Sequence, residues 1–144
     1  VVVQTYEPDN FAIKAAALQD YEKFYLQEII VREKLKYPPF CDIVAFMFSS
    51  DTDKKAYEAA WNMKEMLKRS LADGRAARES EILGPARAPK RRIKRKYRWR
   101  LVVKCMLDEK TRDALRKIIL FQGSGIGKKK AVILSVDVNP LSMI

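Results

Sequence analysis

The stretch RWRLVVKCM, residues 98–106, puts Trp99, Leu101, Val103 and Cys105 on one side of an extended chain and Arg98, Arg100 and Lys104 on the other. A period of two over this length predicts a strand with one dry face and one cationic face, and a dry face needs a second layer to cover it. The flanking sequence supplies that layer. Upstream, DIVAFMF (Asp42 to Phe48) reads as a buried strand, and SSDTD can cap a helix over about Asp53 to Leu71. That helix sets Ala56, Ala60, Met63, Leu67 and Leu71 on one side, ADGR ends it through Gly74, and EILG is a short strand before Gly84-Pro85. Downstream, Asp108 can cap a helix over Glu109 to Phe121. Its buried side is Ala114, Leu115, Ile118 and Ile119, and Arg112 and Arg116 sit one turn apart on another face. QGSGIGKKK then leads into a last strand, AVILSVDV, from Ala131 to Val138. The order is β-α-β-β-α-β, which predicts an α+β fold: a two-layer domain whose antiparallel sheet carries two helices on one face.

Ahead of this domain the pattern changes. VVVQTY is a short apolar β-type run, and EPDN supplies residues that open a helix. From Phe11 to about Lys36 the spacing of Phe11, Ala15, Leu18, Tyr21, Tyr25, Ile29 and Ile30 predicts one long amphipathic helix with a broad aromatic face, packed as core. KYPPF stops it, because two successive prolines cannot extend a helical ladder. The expected division at Pro38 and Pro39 gives residues 1–36 and 37–144.

Composition narrows the function. At 48% hydrophobic and 33% charged, the 144 residues are too apolar for a disordered polyelectrolyte, and no run of about 20 apolar residues offers a membrane span. The chain lacks histidine and has only Cys41 and Cys105, which removes Ser-His-Asp and Cys-His catalysis and leaves too few soft ligands for zinc. Asp51, Asp53, Asp108 and Glu109 stand where helices start, so capping is the expected duty of these carboxylates. The glycines of GSGIG follow a helix and precede a strand, the reverse of a phosphate loop. The start at Val1, without Met or a basic leader, reads as a piece of something longer, and the thiol usage suits a reducing cytoplasm.

The charge is concentrated. Of 29 Lys and Arg against 18 Asp and Glu, net +11, the acid-free window Ile82 to Leu107 holds +10. Nine cations lie between Arg87 and Arg100 and repel one another unless an anion offsets them, which points to a polyanion. The candidate contacts are Arg87, Lys90, Arg91, Arg92, Lys94, Arg95, Lys96, Arg98 and Arg100, with Tyr97 at the end of the basic loop as a ring on which an unpaired base can stack. Trp99 counts with the buried face. An RNA-binding or ribosome-associated module is the alternative, although RWRLVVKCM lacks the glycine and aromatic pattern of an RNP1 motif. A small enzyme is disfavoured because no site constellation exists.

These residues also resemble a family. The run VVVQTYEPDNFAIKAAALQDYEKFYLQEIIVREKLKYPPF, then ILGPARAP, YRWRLVVK and VDVNP, in that order, are similar to the C-terminal part of the primosomal protein N′ (PriA) family of bacterial replication-restart helicases. The resemblance implies that residues 1–36 are the last strand and helix of a helicase lobe. Residues 37–144 would be a C-terminal domain similar to a small-subunit ribosomal protein. It implies an ATP-dependent 3′-to-5′ DNA helicase as the parent, with ATP, magnesium and zinc bound outside this chain and no cofactor within it. The implied partners are forked or single-stranded DNA, other primosome proteins, and the acidic tail of the single-stranded-DNA-binding protein. That tail would meet Arg112 and Arg116. The implied location is the bacterial cytoplasm, at the nucleoid. This chain departs from the commoner pattern in its dense basic loop KRRIKRK and its GSGIG linker.

Overall fold

Two alternating patterns and two helical ones build the larger part of the protein, seen in a computed structural model that describes residues 2–72, 80–123 and 132–141. Gly74 and the Gly125 to Lys130 segment lie outside the described residues. The chain divides into two compact units, Val1–Phe40 and Cys41–Ile144.

In the second unit β1 (Asp42–Ser50) runs antiparallel to β3 (Lys96–Cys105), in register from Asp42↔Cys105 to Ser50↔Tyr97. On its other side β1 pairs antiparallel with β4 (Val132–Val138), from Val44↔Val138 to Ser50↔Val132. The outer flank of β3 holds β2 (Glu81–Ile93), so the sheet order is β2-β3-β1-β4. This register brings Val44, Phe46 and Phe48 beside Leu101, Val103 and Cys105 on one face, all buried. Two helices cover that face. One is α3 (Asp53–Ser70), whose Ala56, Ala60, Met63 and Leu67 are fully buried; the other is the helix Glu109–Gly123, here α4, which adds Leu115 and Ile118. Burying each large apolar side chain contributes about 1.5–3 kcal/mol relative to exposure, so this face dominates stability. The architecture is the two-layer α+β sandwich expected, and Asp108 caps α4 by accepting the Thr111 N–H at 2.8 Å.

A polar clasp closes the open end of the sheet. Asn139, in the left-handed region at φ 49°, accepts the Ile43 N–H on Oδ1 at 2.8 Å and donates from Nδ2 to Asp42 Oδ1 at 2.8 Å. Asp42 Oδ2 also accepts the Leu107 N–H at 2.9 Å, so the VDVNP segment ties β4 to the start of β1 and to the β3–α4 connection.

Three expectations for this unit need correction. The basic segment is not a loop: β2 continues through it to Ile93 and β3 returns from Lys96. Secondly, the strand that begins with EILG does not end at Gly84-Pro85: Pro85 and Pro89 lie within β2, tolerated because it is an edge strand, and the register slips between Leu83 and Ala86 and between Arg87 and Arg92. Gly84 is required at the first slip, with φ 104° and the Arg100 carbonyl oxygen only 2.9 Å from where a Cβ would stand. Thirdly, the second face of β3 is not uniformly cationic and solvated. Lys104 is buried there, and Val102 joins Cys41 and Ile43 in a small second cluster.

The first unit differs more. Residues 2–5 form no strand, since no described strand pairs with them, and Val2 and Val3 are exposed. The single long helix is two, α1 (Phe11–Ala17) and α2 (Tyr21–Lys34). Gln19 turns left-handed at φ 54°, its N–H reaches Ala16 O and that of Asp20 reaches Ala15 O, which is a Schellman stop. Asp20 then caps α2 by accepting the Lys23 N–H at 2.9 Å. The break splits the apolar stripe: α2 has no buried residue, and Tyr21 and Tyr25 are exposed rather than core, stacked on each other at 6.2 Å. A second Schellman stop at Lys36, φ 50°, ends α2 before Pro38, so the prolines follow the stop instead of causing it.

Candidate nucleic-acid interface

Strand pairing gathers the cations. β2 and β3 meet across a two-residue turn, Lys94-Arg95, with both residues at positive φ, 47° and 65°. Tight hairpins need that geometry and usually assign it to Asn-Gly; here two charged residues bear the backbone strain. The tip therefore projects Lys94 and Arg95 into solvent, while Lys90 and Arg92 on β2 are also exposed. None of these four makes an ion pair among the described residues.

The other candidates are distributed differently. Arg87 and Arg91 converge on one carboxylate, Asp53 Oδ2, at 3.1 and 3.6 Å. Asp53 Oδ1 accepts the Trp99 indole N–H at 2.8 Å. An internal anion thus offsets part of the repulsion that the sequence left uncompensated, in partly exposed pairs each worth about 0.2–1 kcal/mol. Lys96, Arg98 and Arg100 are half-buried on β3, and strand alternation sets Arg98 and Arg100 on the sheet face away from the helices. Tyr97 is half-buried with the Arg92 and Arg91 guanidiniums at 4.9 and 5.9 Å from its ring centre, so its π-face already carries cations.

Trp99 packs against the main core, with Tyr57 at 4.8 Å and Arg87 over its ring at 5.5 Å. Sequence reasoning missed three participants on α3. Asp53 stands at the helix start, where capping is its expected duty, yet its oxygens serve the hairpin. Tyr57 and Trp61 stand one turn apart beside the buried stripe, with ring centres 6.2 Å from each other. Their i, i+4 spacing was the available signal, but nothing local tells that the stripe faces Trp99.

Arg112 and Arg116 lie apart from the hairpin. Both are exposed on α4 and line a cavity of about 480 Å³ whose floor is apolar, from Val44, Leu115, Ile119 and Val136. The spacing and the apolar floor together suit a short peptide bearing carboxylates beside a hydrophobic terminus. Cys105, under the same sheet, is not a reactive thiol: burial, followed by the Asp42 carboxylate, pushes it up to about 11. No helix of the described residues is long and apolar enough to cross a membrane.

Comparison with known proteins agrees with the residue pattern. The family model for the primosomal protein N C-terminal domain matches residues 33–141. The chain is 31% identical over all 144 residues to the replication restart protein PriA of Borreliella burgdorferi, covering 20% of that protein. Against the replication restart protein PriA of Bacillus subtilis the identity is also 31% over 144 residues, or 17% of its length. That of Chlamydia pneumoniae is 37% identical over 71 residues, 49% of this chain. The chain spans about a fifth of the length of the curated relatives it matches in full.

Proposed function

We propose, since this chain belongs to the primosomal protein N C-terminal domain family, that it is the non-catalytic C-terminal module of a replication-restart DNA helicase. In this reading it grips branched or single-stranded DNA and docks a partner protein, while ATP hydrolysis and zinc binding belong to other parts of the longer protein. The observation that carries it is the exposed basic ribbon, with Lys90, Arg92, Lys94 and Arg95 at one end of a two-stranded hairpin. Cations on a rigid ribbon neutralise phosphates and release counterions, which gives affinity with little sequence preference. That suits a fork, which is defined by its shape. The docking half rests on the α4 cavity: Arg112 and Arg116 offer forked donors, above an apolar floor, to the terminal carboxylate and acidic side chains of the single-stranded-DNA-binding protein's tail.

The test is fluorescence anisotropy with a forked DNA, a matched duplex, a single strand and an RNA hairpin at several salt concentrations. The fork should bind best, with a steep salt dependence. Changing Lys90 and Arg92 to Gln and Lys94 and Arg95 to Asn should flatten the duplex salt slope by up to about 3.6, near 0.9 per lost phosphate contact. An unchanged slope removes the hairpin from the interface, and a preference for the RNA hairpin would favour an RNA-binding module instead.

A further inference from the structure

We infer that the outer stripe of α3, Tyr57 and Trp61, is a stacking platform for an unpaired DNA strand. The inference rests on the DNA-binding reading above and adds a site that the basic hairpin does not include. Both rings are large and open, with Tyr57 39% and Trp61 44% exposed, although α3 has a fully buried stripe one residue away in Ala56 and Ala60. They are also held in place. Trp99 of β3 is tied to the first turn of α3, its indole N–H donating to Asp53, and Arg87 lies over its face. Tyr57 tilts onto Trp99 at 4.8 Å, and Trp61 follows Tyr57 at 6.2 Å. Lys64, one turn further, donates to the Gly84 carbonyl of β2 and lies 5.7 Å from the Trp61 ring, which ties the stripe to the hairpin strand. The inner end of the ladder, Trp99, is half-buried against the core, and the outer two rings are presented to solvent.

Charge decides what lies on them. Around the rings stand Lys64 and the exposed Lys54 of α3, and Arg87 and Arg91 of β2. The neighbouring carboxylates are each engaged: Asp53 by Arg87 and Arg91, Glu58 by Lys54 at 3.8 Å, and Glu65 by Lys68 at 3.2 Å. Rings interleaved with cations suit a strand that offers both unstacked bases and phosphates. A closed duplex offers only the phosphates, so the stripe distinguishes the unpaired arm of a fork from the paired one. The hairpin holds charge of either kind.

The experiment uses the full chain with a labelled oligothymidine and a matched duplex, each titrated in salt, and with Trp61→Ala, Trp61→Phe and Tyr57→Ala variants checked for native melting. Trp61→Ala should weaken oligothymidine binding roughly 5- to 140-fold, the span of one lost base–ring stack. Its salt slope and its duplex affinity should not move, because no cation is lost. Trp61→Phe should keep most of the affinity. Unchanged oligothymidine binding in both alanine variants overturns the inference, as does an equal loss on oligothymidine and duplex. Failure of the wild type to bind any DNA overturns the DNA-binding reading as well. Binding that needs the hairpin cations but neither ring overturns this inference alone.

Discussion

Replacing Lys94 with Asn and Arg95 with Gly should make the protein more stable and a weaker DNA binder at the same time. Both residues sit in the left-handed region, at φ 47° and 65°, where a side chain with a Cβ costs roughly 1–2 kcal/mol per residue. Asn tolerates that region and Gly occupies it freely, while the added freedom of Gly in the unfolded chain takes back about 0.5–1 kcal/mol. The net expectation is a gain of about 1–3 kcal/mol, and each kcal/mol raises Tm by roughly 4–8 °C in a domain of this size. The same change removes two cations from the ribbon tip, so the duplex salt slope should fall by up to about 1.8. Thermal melting by circular dichroism and anisotropy titrations on one preparation read both effects. A lowered Tm would refute the two-residue turn. A raised Tm with an unchanged salt slope would leave the turn intact and refute its contact with phosphate. A general folding defect cannot imitate the expected result, since stability and binding move in opposite directions.

Asp53→Asn keeps an acceptor for the Trp99 indole but removes the charge shared by Arg87 and Arg91. Duplex binding should tighten and its salt slope steepen by as much as about 1.8, at a stability loss of up to about 2 kcal/mol for the two pairs; an unaltered slope would mean the two guanidiniums do not reach DNA. Asn139→Ala should lower stability by about 1–3 kcal/mol in urea unfolding, because the Ile43 N–H and an Asp42 oxygen lose their partners and Ala is strained at φ 49°. Asn139→Gly should cost less, and equal losses would show that strain plays no part. The Cys105 thiol is pushed from 9.0 to about 11 by burial and then by Asp42, so the native state holds its proton where the unfolded chain has lost it. Below pH 9 this group does not discriminate between the two states; as pH rises from 9 to 11 it removes stability, relative to Cys105→Ala. Parallel pH profiles for the two proteins would show that the thiol is not kept neutral by the fold.

Local pattern carried far in some elements and failed in others for identifiable reasons. The α3 stripe of Ala56, Ala60, Met63, Leu67 and Leu71 is buried as its spacing predicts, since a 3.6-residue period is set within the helix. The same rule misled over Phe11 to Lys36, because a short capping residue, Asp20, with a left-handed Gln19 before it, outweighs a periodic stripe that has no buried face to gain. The signal was present in LQDYEK, where an Asp stands just before a helical run. Of the site, the density of cations and the helical pairing of Arg112 with Arg116 were legible. The division of the cations among solvent, Asp53 and the Tyr97 ring was not.

By itself the sequence determined the order of elements in the second unit and the dry face of β3, both written in residues a few positions apart. Only the tertiary structure decided that β2 and β3 stay paired through the basic segment down to the Lys94-Arg95 turn, that Lys104 is buried, and that Asp53 meets Trp99 46 positions away and Asn139 meets Asp42 97 positions away. The physical reason lies in the range of each interaction. Periodicity and capping act within one turn or one pleat, whereas a carboxylate or a ring finds its partner only after the sheet order β2-β3-β1-β4 has brought distant strands to hydrogen-bonding distance.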